Sequence, residues 1–199
     1  MKSTNRSGEL DAICDVPGIL VGHAQNQQAR TGCTVIIPEA GAVCGVDVRG
    51  SAPGTREVET LKPVRLVKKI HAILLTGGSA FGLDATGGVQ QFLEEKQIGF
   101  DVGVTKVPIV PSAVIFDLGQ GDPFVRPDRE MGYEAARRAS REDGSMGLVG
   151  AGTGATVGKI LGPEHCMKGG LGQASQVIGE NVVVGALSVV NAFGDVIDP

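Results

Sequence analysis

The stretch ILLTGGSAFGLDATGGVQQFLEE, residues 73–95, decides how the rest of the chain is read. Ile73-Leu74-Leu75 is an apolar run as short as a buried strand. Thr76-Gly77-Gly78-Ser79-Ala80 is a turn of small residues, and a helical pattern follows it. Leu83, Val89, Phe92 and Leu93 fall close to one face at helical spacing, with Gln90, Gln91, Glu94 and Glu95 largely outside it. A strand that feeds a glycine turn and then a helix aims several backbone N–H groups at one spot. Such a spot suits an anion or a developing oxyanion. The same glycines also fit a tight connection that needs them only for packing. On this stretch alone both readings stay open.

Working outward, 199 residues suit a single domain with a real core, spanning residues 1–199. The 31 glycines follow no collagen-like period, so they mark tight turns and close backbone approaches. A net charge of −4 gives no electrostatic reason to expect nucleic acid. No apolar run approaches the ~20 residues of a membrane span, and the N-terminus lacks the apolar core of a signal peptide. A cytoplasmic location is the default expectation. Cys14, Cys33, Cys44 and Cys166 have no CxxC spacing and read as buried free thiols. His165 and Cys166 are adjacent, which on a strand points them to opposite faces, so no structural metal is expected.

In chain order, residues 1–12 are polar and expected to be frayed. Ile19–His23 is a short strand, and residues 25–31 form a polar loop. Gly32–Ile37 is a strand ended by Pro38, with Ala42–Arg49 as its hairpin partner. Residues 50–63 carry no period and form a long loop. Beyond the central helix, Ser112–Leu118 is a strand. Asp128 and Glu130 begin a helix that runs to about Ser140. Gly169–Val177 and Asn181–Asn191 close the chain as two antiparallel strands.

Several motifs fail on spacing. Gly158-Lys159 resembles the end of a P-loop, but the residue five before Gly158 is Thr153 and Ile160 stands where Ser or Thr is required. Ser79 has Gly77 two positions before it but Phe81 two positions after it, which excludes a nucleophile elbow. No spacing favours a Ser–His–Asp triad.

Six separated blocks do carry a resemblance: VPGILVGHA (16–24), CGVDVRGSAPGTRE (44–57), LTGGSAFGLDAT (75–86), PIVPSAVIFDL (108–118), GAGTGATVGK (150–159) and VVGALSVVNAFGDVIDP (183–199). In this order they resemble the DmpA-type aminopeptidases. That family includes the L-aminopeptidase/D-esterases, the β-peptidyl aminopeptidases and the nylon-oligomer hydrolases. The resemblance implies an α-β-β-α sandwich of the DmpA/ornithine acetyltransferase type. It also implies an N-terminal-nucleophile hydrolase that cleaves itself into two subunits and acts on short peptides or amides without a cofactor. A Ser or Thr at a freed N-terminus carries its own base, an α-amino group of pKa near ~8. It then needs only donors for the tetrahedral oxyanion.

By the same resemblance, Asn191 is the side-chain oxyanion donor; its plain alternative is an Asn that satisfies a turn before Gly194. Lys159 matches a lysine near the nucleophile, where it would depress nearby pKa values; a surface lysine after a glycine turn is the other reading. Gly77, Gly78, Ser79 and Phe81 resemble the wall of the substrate site, with Phe81 where family members often have Tyr. Arg49 and Arg56 read as structural, and Asp84 as a favourable charge in the first helical turn.

The family's cleavage site and nucleophile lie some tens of residues beyond the VIDP block, so the expectation is a sandwich incomplete at its C-terminus. A truncated chain is favoured over a processed subunit or a non-catalytic remnant. Such a chain is expected to be inactive alone, to require a C-terminal β-subunit segment, and to self-associate through open edges. The alternative is a non-enzymatic scaffold that oligomerises or binds a small ligand.

Overall fold

A computed structural model describes residues 6–197. Its first hairpin joins β1 (Ile19–Asn26) to β2 (Thr31–Pro38), antiparallel from Ile19↔Pro38 to Asn26↔Thr31. The Asn26 side chain accepts from Ala29 N at 2.9 Å and so closes the turn. Every residue of β2 is buried, as expected for a strand covered on both faces. Its other edge is taken by β4 (Ile73–Thr76), and β7 (Ser112–Val114) and β3 (Thr55–Arg56) extend the sheet beyond it in the order β1-β2-β4-β7-β3.

This corrects the expected hairpin of residues 32–37 with 42–49, and narrows the expected loop at 25–31 to a turn at 27–30. The partners of β2 are β1 and β4, while residues 43–49 form no strand and only Ala42 bridges to Ile70. The physical reason is burial. Ile73-Leu74-Leu75 is apolar on both faces, whereas the 42–49 run alternates with Cys44, Asp47 and Arg49 and leaves Val43 85% exposed.

A 3₁₀ turn at Ser79–Asp84 leads into α1 (Ala85–Glu95). The short ribbon of β5 (Phe100–Asp101) and β6 (Lys106–Val107) follows, then β7 (Ser112–Val114), which runs parallel to β4. The strand expected to reach Leu118 ends at Val114, and residues 115–117 leave the ladder to make contacts of their own. Helix α2 (Arg129–Arg137) begins where the sequence places it, with Asp128 Oδ1 accepting from Met131 N at 2.9 Å. The two helices approach to backbone contact. A Cβ on Gly88 would lie 1.8 Å from Arg129 O, and one on Gly132 would lie 1.9 Å from Ala85 O. Together they cover one face of the sheet, over a core of Val35, Leu74, Val89, Leu93, Val110 and Ala135.

The remaining strands are β8 (Thr156–Val157), β9 (Met167–Lys168), β10 (Gly170–Ile178) and β11 (Val182–Val190). β10 and β11 pair antiparallel from Gly170↔Val190 to Ile178↔Val182, close to the expected bounds. They lie over the other face of the sheet, where Leu187 packs with Cys14, Val21 and Ile36. The described residues therefore form three layers, helices, sheet and ribbon. Val182, Val184 and Val190 on the outer face of β11 are exposed.

The expected frayed end is also different. Arg6 bridges to Val177, Gly8 N donates to Ser175 Oγ at 3.1 Å, and Ser175 N donates to Asp11 Oδ1 at 3.0 Å. The backbone of β10 and the Ser175 hydroxyl hold this segment in place; residues 1–5 lie outside the described residues. Cys14 and Cys33 are buried thiols, but Cys44 and Cys166 are half-buried.

Candidate functional site

The glycine turn after β4 is the first component. Its N–H groups do not converge unpaired on one spot, as the anion-binding reading expects; a different protein acceptor takes each of three. Gly77 N donates to Gly32 O at 2.8 Å, Gly78 N to Asp117 Oδ1 at 2.7 Å and Ser79 N to Ile115 O at 3.0 Å. Both Gly78 and Ser79 adopt left-handed φ, at 78° and 53°, which turns these groups toward residues 115–117. The anion at the turn is thus internal. The buried Asp117 carboxylate also accepts from Thr31 Oγ1 at 2.8 Å. Burial pushes its pKa up against the pull of those hydrogen bonds. Gly77, Gly78 and Ser79 are therefore a structural clasp around Asp117 in this structure. Phe81 stands outside it, 60% exposed, with the Arg126 guanidinium 3.9 Å above its ring.

The second component is Asn191, set just beyond the end of β11. Its Oδ1 accepts from Thr156 N at 3.0 Å and from Lys159 Nζ at 3.1 Å, and its Nδ2 donates to Phe116 O at 3.0 Å. Two donors on one side and a carbonyl on the other allow a single orientation of the carboxamide. One Nδ2 hydrogen is left over. Lys159 Nζ donates in addition to Thr156 O and to Ala192 O. All three of its acceptors are neutral oxygens. Burial holds the ammonium below the ordinary lysine range, opposed by the nearby Cys166 thiol.

Residues 115–117 connect the two components. The Ile115 carbonyl meets Ser79, the Phe116 carbonyl meets Asn191, and the Asp117 side chain meets Gly78. Lys159 and Asn191 are therefore in direct contact, and the Gly77–Phe81 turn is one extended segment away. Thr156, Phe116 and Asp117 were not singled out from sequence. Asp117 ends an apolar run, VIFD, and a carboxylate in that place was the available signal. Arg49 pairs with Asp47 at 2.5 Å in solvent, and Arg56 Nη2 donates to Gln90 Oε1 at 3.2 Å, both structural contacts. The Asp84 side chain makes no capping hydrogen bond to α1.

Comparison with known proteins assigns the family. A profile described as Peptidase family S58 matches residues 11–197. The chain belongs to peptidase family S58, the DmpA-like N-terminal-nucleophile hydrolases. It is 44% identical over 198 residues to an "Uncharacterized aminopeptidase" of Mycobacterium tuberculosis (strain ATCC 25618 / H37Rv), covering 96% of this chain and 55% of that protein. A solved structure from Pyrococcus horikoshii OT3 superposes with a TM-score of 0.76 at 27% identity, covering 96% of this chain and 56% of the other. A Burkholderia sp. beta-aminopeptidase gives a TM-score of 0.70 at 27% identity, covering 96% and 54%. The helix–sheet–ribbon arrangement is accordingly the sandwich of the S58 fold, as the sequence blocks imply. The S58 chain described here spans about half the length of the relatives it matches. Among its described residues, no helix is long and apolar enough to cross a membrane.

Proposed function

We propose that this chain carries the oxyanion-binding part of an S58 aminopeptidase or amidase that releases N-terminal residues from short peptides or amides. The nucleophile in this reading is a Ser or Thr outside the chain, freed by self-cleavage. Its hydroxyl adds to the scissile carbonyl carbon while its α-amino group takes the proton, and the carbonyl oxygen becomes an oxyanion. The protonated amine then protonates the leaving nitrogen as the C–N bond breaks. Water resolves the ester that remains.

The observation that supports this reading is the clamped carboxamide of Asn191. Lys159 Nζ and Thr156 N hold its oxygen, so Nδ2 is preset as a donor with one hydrogen to spare. A preset donor costs no reorganisation when charge develops, which is how such groups lower a barrier. The ammonium on Oδ1 polarises the amide and strengthens the Nδ2 donor. Phe81 supplies an apolar wall with Gly77, Gly78 and Ser79 behind it, and the exposed valines of β11 suit the remaining layers of the sandwich and assembly into oligomers.

In the protein carrying the complementary segment, Asn191→Ala is expected to lower kcat by ~10² or more, the usual effect of losing one oxyanion donor. Amine release from aminoacyl p-nitroanilides, with the circular dichroism of the variant as a folding control, reads it. An unchanged kcat with normal folding would reject Asn191 as the oxyanion donor, and no amine release by the wild-type protein with its complementary segment would favour the alternative, a scaffold without chemistry. The 199-residue chain alone is expected to release no amine.

A further inference from the structure

Among the described residues, one buried side-chain oxygen or nitrogen has no hydrogen-bond partner: Thr156 Oγ1. The Thr156 backbone is fully used, its N on Asn191 and its O on Lys159, while its side-chain oxygen is buried without a partner. In the β8–β9 ribbon Thr156 lies directly opposite Lys168. Cross-strand partners in an antiparallel pair share a face. Both residues line a cavity of about 210 Å³, walled further by Arg30 from the β1–β2 turn and by Thr153, Gly154 and Gln27. Neither Arg30 nor Lys168 is in an ion pair among the described residues. Behind the wall stands one opposing charge, Asp117, close enough that a Cβ on Gly154 would lie 2.7 Å from its Cβ.

We infer that this cavity is a binding site for a small carboxylate ligand, held by Arg30 and Lys168 with the Thr156 hydroxyl in its wall. A buried hydroxyl with no partner costs about 1–3 kcal/mol, and the residue that carries it is one of those lining the cavity. A guanidinium fork matches the two oxygens of a carboxylate, and a lysine adds a mobile second cation. The charge balance selects the ligand class. Two cations against the one carboxylate behind Gly154 leave a single positive charge, which suits a monoanion and disfavours a phosphate dianion. The site is separate from the Asn191–Lys159 cluster, which meets the backbone of β8, and does not rest on the peptidase reading.

The test reads binding by the 199-residue chain. Acetate is titrated against the ¹⁵N-labelled protein, with acetamide and inorganic phosphate as the comparison probes. Saturable shifts at Gly154, Thr156 and Lys168 with acetate, none with acetamide, and weaker binding of phosphate are expected. Arg30→Met and Lys168→Met, both exposed and foldable, should each weaken acetate at least about fivefold. Thr156→Val keeps the backbone contacts, so it should raise the melting temperature without acetate and shrink the rise that acetate produces. Unsaturable acetate shifts, equal shifts with acetamide, tighter binding of phosphate, or affinities indifferent to Arg30→Met and Lys168→Met would each overturn the proposal.

Discussion

Lys159 Nζ and Asn191 Oδ1 lie 3.1 Å apart across 32 residues of sequence, and the ammonium in that contact faces neutral oxygens only. The pair thus couples a partly buried cation to an amide whose other end is a donor. In the complete enzyme, Lys159→Met should leave Asn191 in place through Thr156 N but remove its polarisation. A fall in kcat of at least about tenfold, or ~1.4 kcal/mol, is expected, together with slower self-cleavage. If only the melting temperature moves, the lysine is structural.

The same residue has a signature in stability. Burial depresses its folded pKa below the unfolded lysine value, so the unfolded chain binds more protons between the two. Stability contributed by this group therefore rises with pH across that window, up to the unfolded pKa near ~10.4. Urea titrations of wild type and Lys159→Met from pH 7 to 10.5 should differ by this upward slope. Parallel curves would contradict the burial argument.

Asn191→Asp separates holding the loop from donating. The carboxylate keeps both acceptor contacts, to Thr156 N and Lys159 Nζ, and gains an ion pair, but it loses the Nδ2 donor. Folding stability is expected to stay within about 1 kcal/mol of wild type, in the range of exposed or partly exposed ion pairs. Turnover should still fall by ~10² or more. A variant that is both stable and active would remove Asn191 from the chemistry.

Asp117→Ala leaves Gly78 N and Thr31 Oγ1 without their acceptor inside the fold, at a cost of about 2–4 kcal/mol. Asp117→Asn should cost less than half as much, because Oδ1 can serve Gly78 N while Nδ2 donates to Thr31 Oγ1. The pH dependence has its own sign. A carboxyl whose folded pKa is raised above 3.8 binds more protons when folded, so its contribution declines as pH rises through that window. The difference between wild type and Asp117→Asn, followed by urea melts between pH 3.5 and 6, isolates this trend from the other carboxylates.

Gly87 and Gly88 are neighbours in α1 with opposite expectations. A Cβ on Gly87 meets only the far end of the Arg129 side chain, with Nε at 2.6 Å, and that chain can swing aside. Gly87→Ala should stabilise by up to about 1 kcal/mol through helix propensity. Gly88→Ala drives into Arg129 O and should destabilise by at least about 2 kcal/mol, as overpacking does. Chemical denaturation of the two variants side by side checks the helix contact; equal effects would mean that the helices can separate freely.

The elements legible in the sequence were those with a local signal. Asp128 after Pro127 marks the start of α2, and the apolar, valine-rich run at 181–191 marks β11. The partner of β2 was not legible, because residues 42–49 alternate as well as a true strand does and only the burial of both faces of β2 decides against them. The contact between Lys159 and Asn191 has no spacing signature and could be anticipated only through the family blocks. The role of Asp117 was hidden for a related reason. A glycine turn looks alike whether its N–H groups await a ligand or already hold a carboxylate supplied 39 residues later.

The segment Ile115–Asp117 works as a two-sided splint. Successive carbonyls of an extended chain point in opposite directions, so Ile115 serves the turn and Phe116 serves Asn191, and a step of one residue exchanges those duties. Point substitutions there alter a side chain and leave both carbonyls where they are. An insertion or deletion between Val114 and Leu118 would instead reverse the splint, pulling Asn191 and the Ser79 turn out of reach together. The clasp and the donor are thus held in phase by the parity of the residue count, a constraint on chain length and not on composition.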